Sequence, residues 1–192
     1  MIIGITGKSG SGKSYASEIL AKSLNLKHID IDKISHEVLS YPETVNFLKT
    51  EFGDLVFDND VLNRKTLGKI VFNDNIKLEK LNNFCQSLIE NKLDGIIQEN
   101  KNIILDYALL PLLKNFNDCD VKILLTADFE TRLRRVQTRE NITKEYFLSR
   151  DNSVLNYDKK MFDYVLENAN IKDIETLATK LKEELWSEKQ QS

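Results

Sequence analysis

The chain has 192 residues, of which 41% are hydrophobic and 30% charged, with a formal net charge of −3. That size suits one α/β domain, and that balance is the composition of a folded soluble protein. With 27 basic against 30 acidic side chains, neither a nucleic-acid coat nor a membrane-surface protein is expected. No run is apolar enough to span a bilayer, and the N-terminus lacks a basic region followed by a cleavable apolar stretch, so a cytoplasmic location is expected. Cys85 and Cys119 make no redox or metal motif and read as small, partly buried side chains.

In chain order, Ile2-Ile3-Gly4-Ile5 is a short apolar run, as in a buried parallel strand. Ser14 to Leu24 carries Ala16, Ile19, Leu20 and Leu24 at helical spacing. Leu26 to Asp30 reads as a second strand. Residues 33–98 read as mostly helical, with Leu78, Leu81, Phe84, Leu88 and Ile89 as apolar positions. Three further strands are expected at Ile103–Asp106, Val121–Leu125 and Tyr164–Leu166. A last helix is marked by Ile174, Leu177, Ala178, Leu181 and Leu185. Alternating β and α elements predict a five-stranded parallel sheet covered by helices, with ligands beyond the carboxyl ends of the strands.

Between the first strand and the first helix, Gly7-Lys8-Ser9-Gly10-Ser11-Gly12-Lys13-Ser14 matches G-x-x-x-x-G-K-[ST] in full. Four of the chain's seven glycines fall within its first twelve residues, where close backbone approach to phosphate needs them. The loop predicts a nucleoside triphosphate site formed by Gly7, Gly10, Ser11, Gly12, Lys13, Ser14 and Tyr15. Backbone N–H groups form the anion nest, Lys13 reaches the β- and γ-phosphates, and Ser14 ligates Mg²⁺.

Carboxylates close the next two strands. Alternation along Asp30-Ile31-Asp32 would point both aspartates to one side, and Asp32 is the candidate base for an attacking hydroxyl. Asp30 can equally cap the helix that begins near Lys33. Asp106 ends an apolar run as a Walker-B aspartate does, suited to water-mediated Mg²⁺ binding or to positioning substrate. His36, one turn beyond Asp32, can face the same cleft, whereas His28 reads as structural.

Five of the six arginines, at 132, 134, 135, 139 and 150, lie in one window, while lysine supplies charge elsewhere. The planar guanidinium pairs bidentately with phosphate. Arg132, Arg135 and Arg139 share a helical face, with Arg134 off it, and Glu140 to Thr143 reads as a helix end and turn. The pattern predicts a lid with Arg139 as its phosphate contact. Asn91-Lys92-Leu93-Asp94 spells the guanine-reading motif of GTPases, but it follows an amphipathic helix and reads as a charged helix end.

Taken together these segments resemble the bacterial dephospho-coenzyme A kinases over nearly the whole chain. The matching stretches are Ile3-Gly4-Ile5-Thr6-Gly7, Ile29-Asp30-Ile31-Asp32-Lys33-Ile34 with His36, and Asn63-Arg64-Lys65-Thr66-Leu67 with Val71-Phe72. They continue with Asp106 before Leu109-Leu110-Pro111, the arginine series, and Phe162-Asp163-Tyr164-Val165 with Asn168. The resemblance implies transfer of the ATP γ-phosphate to the ribose 3′-hydroxyl of dephospho-coenzyme A, with Asp32 as base and Arg64 in the acceptor region. It implies a P-loop kinase fold with a core (1–34, 99–128, 156–192), a helical acceptor-binding part (35–98) and a lid (129–155). Asp32, His36, Arg64 and Asp106 would contact the acceptor. Three positions depart from the family's usual pattern: Gln86-Ser87 in place of His-Pro, Tyr107 to Leu110 between Asp106 and Pro111, and Val154 in place of a glutamine. A nucleoside or nucleoside monophosphate acceptor, and a nucleotide-binding regulator without catalysis, are the competing readings.

Overall fold

The computed structural model describes residues 1–152, 154, 156–167 and 169–189, with side chains described as far as 184. Asn168 and the side chain of Leu185, both singled out from the sequence, lie outside the described residues.

Five parallel strands form the sheet: β1 (Ile2–Thr6), β2 (Lys27–Asp30), β5 (Ile103–Asp106), β6 (Val121–Thr126) and β7 (Tyr164–Glu167), in the spatial order β2-β5-β1-β6-β7. β1 is central, pairing Ile3 with Ile104 on one side and Ile5 with Ile123 on the other. The polar residues that end β1, β2 and β5 therefore meet along one edge, because Asp30 is in register with Asp106 and Ile5 with Asp106.

Each face of the sheet carries its own core. On one, α1 (Lys13–Leu24) and α8 (Ile171–Lys189) pack Ala16, Leu20, Ile174, Leu177 and Leu181 against Ile3, Ile5 and Ile123. On the other, α2 (Ile31–Val38), α3 (Pro42–Phe52), α4 (Arg64–Val71) and α5 (Asn75–Glu99) bury Ile31, Leu48, Leu67, Leu93 and Leu105. Two further helices, α6 (Phe129–Glu140) and α7 (Lys144–Asn152), hold a small separate core of Leu133, Val136 and Phe147. Both cysteines are buried and unpaired. Among the described residues no helix is long and apolar enough to cross a membrane.

Residues 33–98 are mostly helical as expected, with one unanticipated feature, and one local expectation fails. Residues 33–98 contain a β-hairpin, β3 (Phe57–Asp58) and β4 (Val61–Leu62), turned by Asn59 and Asp60 at φ 49° and 64°. Asn and Asp tolerate that left-handed backbone, so Asp58-Asn59-Asp60 was the available signal. Asp30-Ile31-Asp32 is not extended: the strand stops at Asp30, whose side chain accepts a hydrogen bond from Lys33 N and caps α2. Asp32 is thus in a first helical turn, and the alternation argument for it does not hold.

Candidate active site

The phosphate loop is built by steric exclusion. A Cβ on Gly7 would stand 2.2 Å from the Leu125 carbonyl oxygen, and one on Gly10 (φ +81°) 2.6 Å from that of Arg132. Side chains there would push the loop off β6 and α6. Ser11 N donates to Lys8 O at 3.0 Å, and Gly12 occupies the N-cap of α1. A glycine turn running into a helix N-terminus presents unpaired amides to an anion. Ser11 Oγ is buried without a hydrogen-bond partner, as expected of a group that a bound phosphate would satisfy. Beside the loop lies a cavity of about 330 Å³ bounded by Lys8, Ser11, Thr126, Arg132 and Tyr157.

Lys13 is 8% exposed, and among the described residues it makes no hydrogen bond or ion pair. The charge it acts on is Asp32. Ser14 is exposed in the first turn of α1, and Tyr15, 51% exposed, points away from the core.

Asp32 reaches solvent, yet the cleft around it strips part of its hydration, and this desolvation holds its carboxyl above the usual value. Lys13 and Arg150 oppose the shift, while Asp30 and Asp106 add to it. Its carboxylate makes no hydrogen bond among the described residues. His36 is pushed below its ordinary pKa by burial first and by Arg64 second, with Asp32 and Asp30 opposing. Lys13, Asp106 and Arg150 thus lie within electrostatic reach of Asp32, and Arg64, Arg150 and Asp32 within reach of His36. Asp106 is 2% exposed; its Oδ2 lies 3.3 Å from His28 Nε2, and its Oδ1 is buried without a partner. His28 is structural as expected, though its work is to hold Asp106.

The arginines divide the labour differently from their common face. Arg132 is locked into a bidentate pair with Asp151 and also donates to Ala127 O at 3.0 Å. Arg135 reaches the loop, donating to Gly10 O at 3.1 Å. Arg139, 61% exposed, pairs with Glu140, which also takes Arg150 at 2.7 Å. In this structure Arg135 and, through Ser9 O at 3.5 Å, Arg132 reach the phosphate loop. The Asn91–Asp94 decoy is structural: Lys92 pairs with Glu37, and Asp94 takes Lys114 and Asn115.

Sequence reasoning missed Asp151. Besides Arg132 it fixes Lys8, whose Nζ donates to its carbonyl at 3.3 Å. Tyr146 was missed too; it packs edge-on against Phe72 at 6.1 Å and lies over Gly68, joining α7 to α4. A lone Asp or Tyr in a short helix carries no motif, so neither had a signal.

A metal ion would need partners beyond protein. Among the described residues no group of three or more His, Cys, Asp or Glu side chains could hold one. Mg²⁺ keeps several waters and shares substrate phosphates, so one hydroxyl and one nearby carboxylate suffice. Ser14, with the orphaned Asp106 Oδ1, fits that donor set.

The model of the dephospho-CoA kinase family matches residues 1–173. The chain belongs to this family. It is similar to the dephospho-CoA kinase of Fusobacterium nucleatum, 34% identical over 186 residues, covering 91% of this chain and 93% of that one. Against the dephospho-CoA kinase of Clostridium tetani it is 33% identical over 178 residues, covering 88% and 78%. Among solved structures it is similar to TT1252 from Thermus thermophilus, at 27% identity and a TM-score of 0.77, covering 96% and 97% of the two chains. Family membership makes the chain an ATP-using kinase.

Proposed function

We propose that this chain transfers the γ-phosphate of ATP to the ribose 3′-hydroxyl of dephospho-coenzyme A, giving coenzyme A, with Asp32 as the general base. One observation carries the assignment of the base: Asp32 stands in the first turn of α2, just beyond the sheet edge where Asp30 and Asp106 pair, its carboxylate makes no hydrogen bond among the described residues, and the Lys13 charge reaches it. A raised pKa makes a better proton acceptor than an ordinary surface aspartate, as long as the group stays ionised. Neither a nucleoside-directed kinase nor a catalytically silent binder is favoured, since the family match covers residues 1–173.

Loop amides and Lys13 hold the triphosphate and neutralise charge as it develops on the transferring group. Arg135, tied to the loop carbonyls, is poised to turn to phosphate oxygens, and Arg139 and Arg150 can follow by exchanging Glu140 for phosphate. Arg64 and His36 would line the acceptor's path to Asp32. Ser14 and Asp106 would hold Mg²⁺, which would supply charge neutralisation on the triphosphate. Residues 35–98 serve as the acceptor-binding part and residues 129–155 as the lid, whose closure keeps water from competing with the hydroxyl. Tyr146 against Gly68 and Phe72 supports closure between these two parts.

The test is a coupled assay with ATP, Mg²⁺ and dephospho-coenzyme A, with the product identified by mass. Asp32→Asn should lower kcat by about 10²- to 10⁴-fold while ATP binding survives. A near-normal kcat would remove Asp32 from the role of base.

A further inference from the structure

Next to Asp32, on the acceptor side, is a cavity of about 120 Å³ between α2, α5 and the segment after β5. Leu39, Leu81, Cys85, Ile89 and Leu113 make it apolar, while Ser35, Tyr107, Asn82 and Gln86 supply its polar atoms. At about 120 Å³ it is smaller than the roughly 150 Å³ apolar cavity that admits one benzene ring, so it would receive the edge of a flat aromatic group whose remainder stays outside its mouth. Ser35 lies one turn from Asp32 and donates to its carbonyl oxygen at 3.0 Å. Tyr107 lines the cavity beside Ser35, within reach of the charge of Asp32. The cavity wall at Ser35 is thus one helical turn from Asp32.

The orientation of Gln86 is fixed. Its Nε2 donates to Glu90 Oε1 at 2.8 Å and to Leu112 O at 2.9 Å, which commits both amide hydrogens and leaves Oε1 as an acceptor. Asn82, one helical turn away on the same face of α5, makes no hydrogen bond among the described residues. An acceptor and a free amide spaced by one turn match the exocyclic amino donor and neighbouring ring-nitrogen acceptor of adenine. A 6-oxo purine would set its oxygen against Gln86 Oε1.

Resting on the dephospho-coenzyme A reading above, we propose that this cavity takes the adenine base of the acceptor and that Gln86 selects its 6-amino group. The base anchors the nucleoside, and the ribose then carries its 3′-oxygen to Asp32.

The test compares dephospho-coenzyme A with its deaminated, hypoxanthine-containing analogue. Wild-type protein should show a KM about tenfold or more higher for the analogue, the worth of one hydrogen bond lost at a desolvated site. In Gln86→Met, KM for dephospho-coenzyme A should rise by a similar factor and the preference between the bases should fall below about twofold. Equal KM values for the two acceptors in wild-type protein would overturn the proposal while leaving the reaction intact, and this arm decides even if the variant does not fold. A folded Gln86→Met that keeps the preference would also overturn it. Failure of wild-type protein to phosphorylate either acceptor would remove the parent reading and the proposal together.

Discussion

Replacing Asp151 with Asn tests whether the phosphate loop is held from the side by α7. The Arg132 and Asp151 side chains are only 8% and 9% exposed and meet through two hydrogen bonds. Asn keeps the shape and removes the charge, leaving a guanidinium buried beside Ser9 O and Ala127 O, while Lys8 loses its ion pair at 3.9 Å and keeps only the carbonyl of residue 151. Stranding one member of a buried pair costs about 3–5 kcal/mol. For a chain of this length that is roughly 6–20 °C in melting temperature. Because Lys8 and Ser9 are loop residues, ATP affinity should fall as well, beyond what unfolding explains at temperatures where the variant remains folded. Urea denaturation with and without ATP measures both effects, and repeating it in high salt checks burial, since a shielded pair is screened little. The double variant Arg132→Met with Asp151→Leu should recover a good part of the loss, because neither charge is then stranded. A stability change under about 1 kcal/mol in Asp151→Asn, with ATP affinity intact, would mean the pair behaves as a surface ion pair and would refute the reasoning.

Gly10→Ala should destabilise by about 1–3 kcal/mol and weaken ATP binding by calorimetry, since its Cβ meets the Arg132 backbone at 2.6 and 2.9 Å and neither neighbour can turn away. Gly68→Ala should separate stability from function: alanine gains about 1 kcal/mol of helix propensity in α4, while its Cβ, 2.8 Å from the Tyr146 hydroxyl, displaces that side chain and should raise the acceptor KM. Asp32 binds its proton more tightly in the folded protein than its ordinary value allows, for reasons of desolvation first. Its ionisation therefore opposes folding progressively as pH rises from the unfolded value through the raised one, and the full penalty applies above both. Asp32→Asn should accordingly be more stable than wild type at neutral pH, by denaturation midpoint, with the difference closing in acid. The acid limb of the kcat/KM profile should fall at a higher pH than an unperturbed aspartate would give.

Two kinds of information were unequally written in the sequence. The strands, the loop and the ends of β2 and β5 were legible because each is a local pattern with one physical cause: an apolar run buried on both faces, glycines where side chains collide, a polar residue where the sheet stops. Asp32 was legible as a site but for an incomplete reason. The capping of α2 by Asp30 turns the chain into a helix at Ile31, so helical geometry, not strand alternation, sets where Asp32 stands. The arginine window was legible as a cluster but not as a set of roles. A shared face at i, i+3 and i+7 says which side chains could point together; it does not say that Asp151 will claim Arg132 and Glu140 will claim Arg139. Those choices depend on where α7 packs, which is settled by Phe147 joining Leu133 and Val136 far along the chain. The same holds at the acceptor side. Gln86 in α5 is an ordinary polar residue until the Leu112 carbonyl, 26 positions away, commits its amide hydrogens and turns its oxygen into a specific acceptor. Local patterns fixed the reaction's apparatus, and tertiary packing decided which of several equivalent side chains is free to use it.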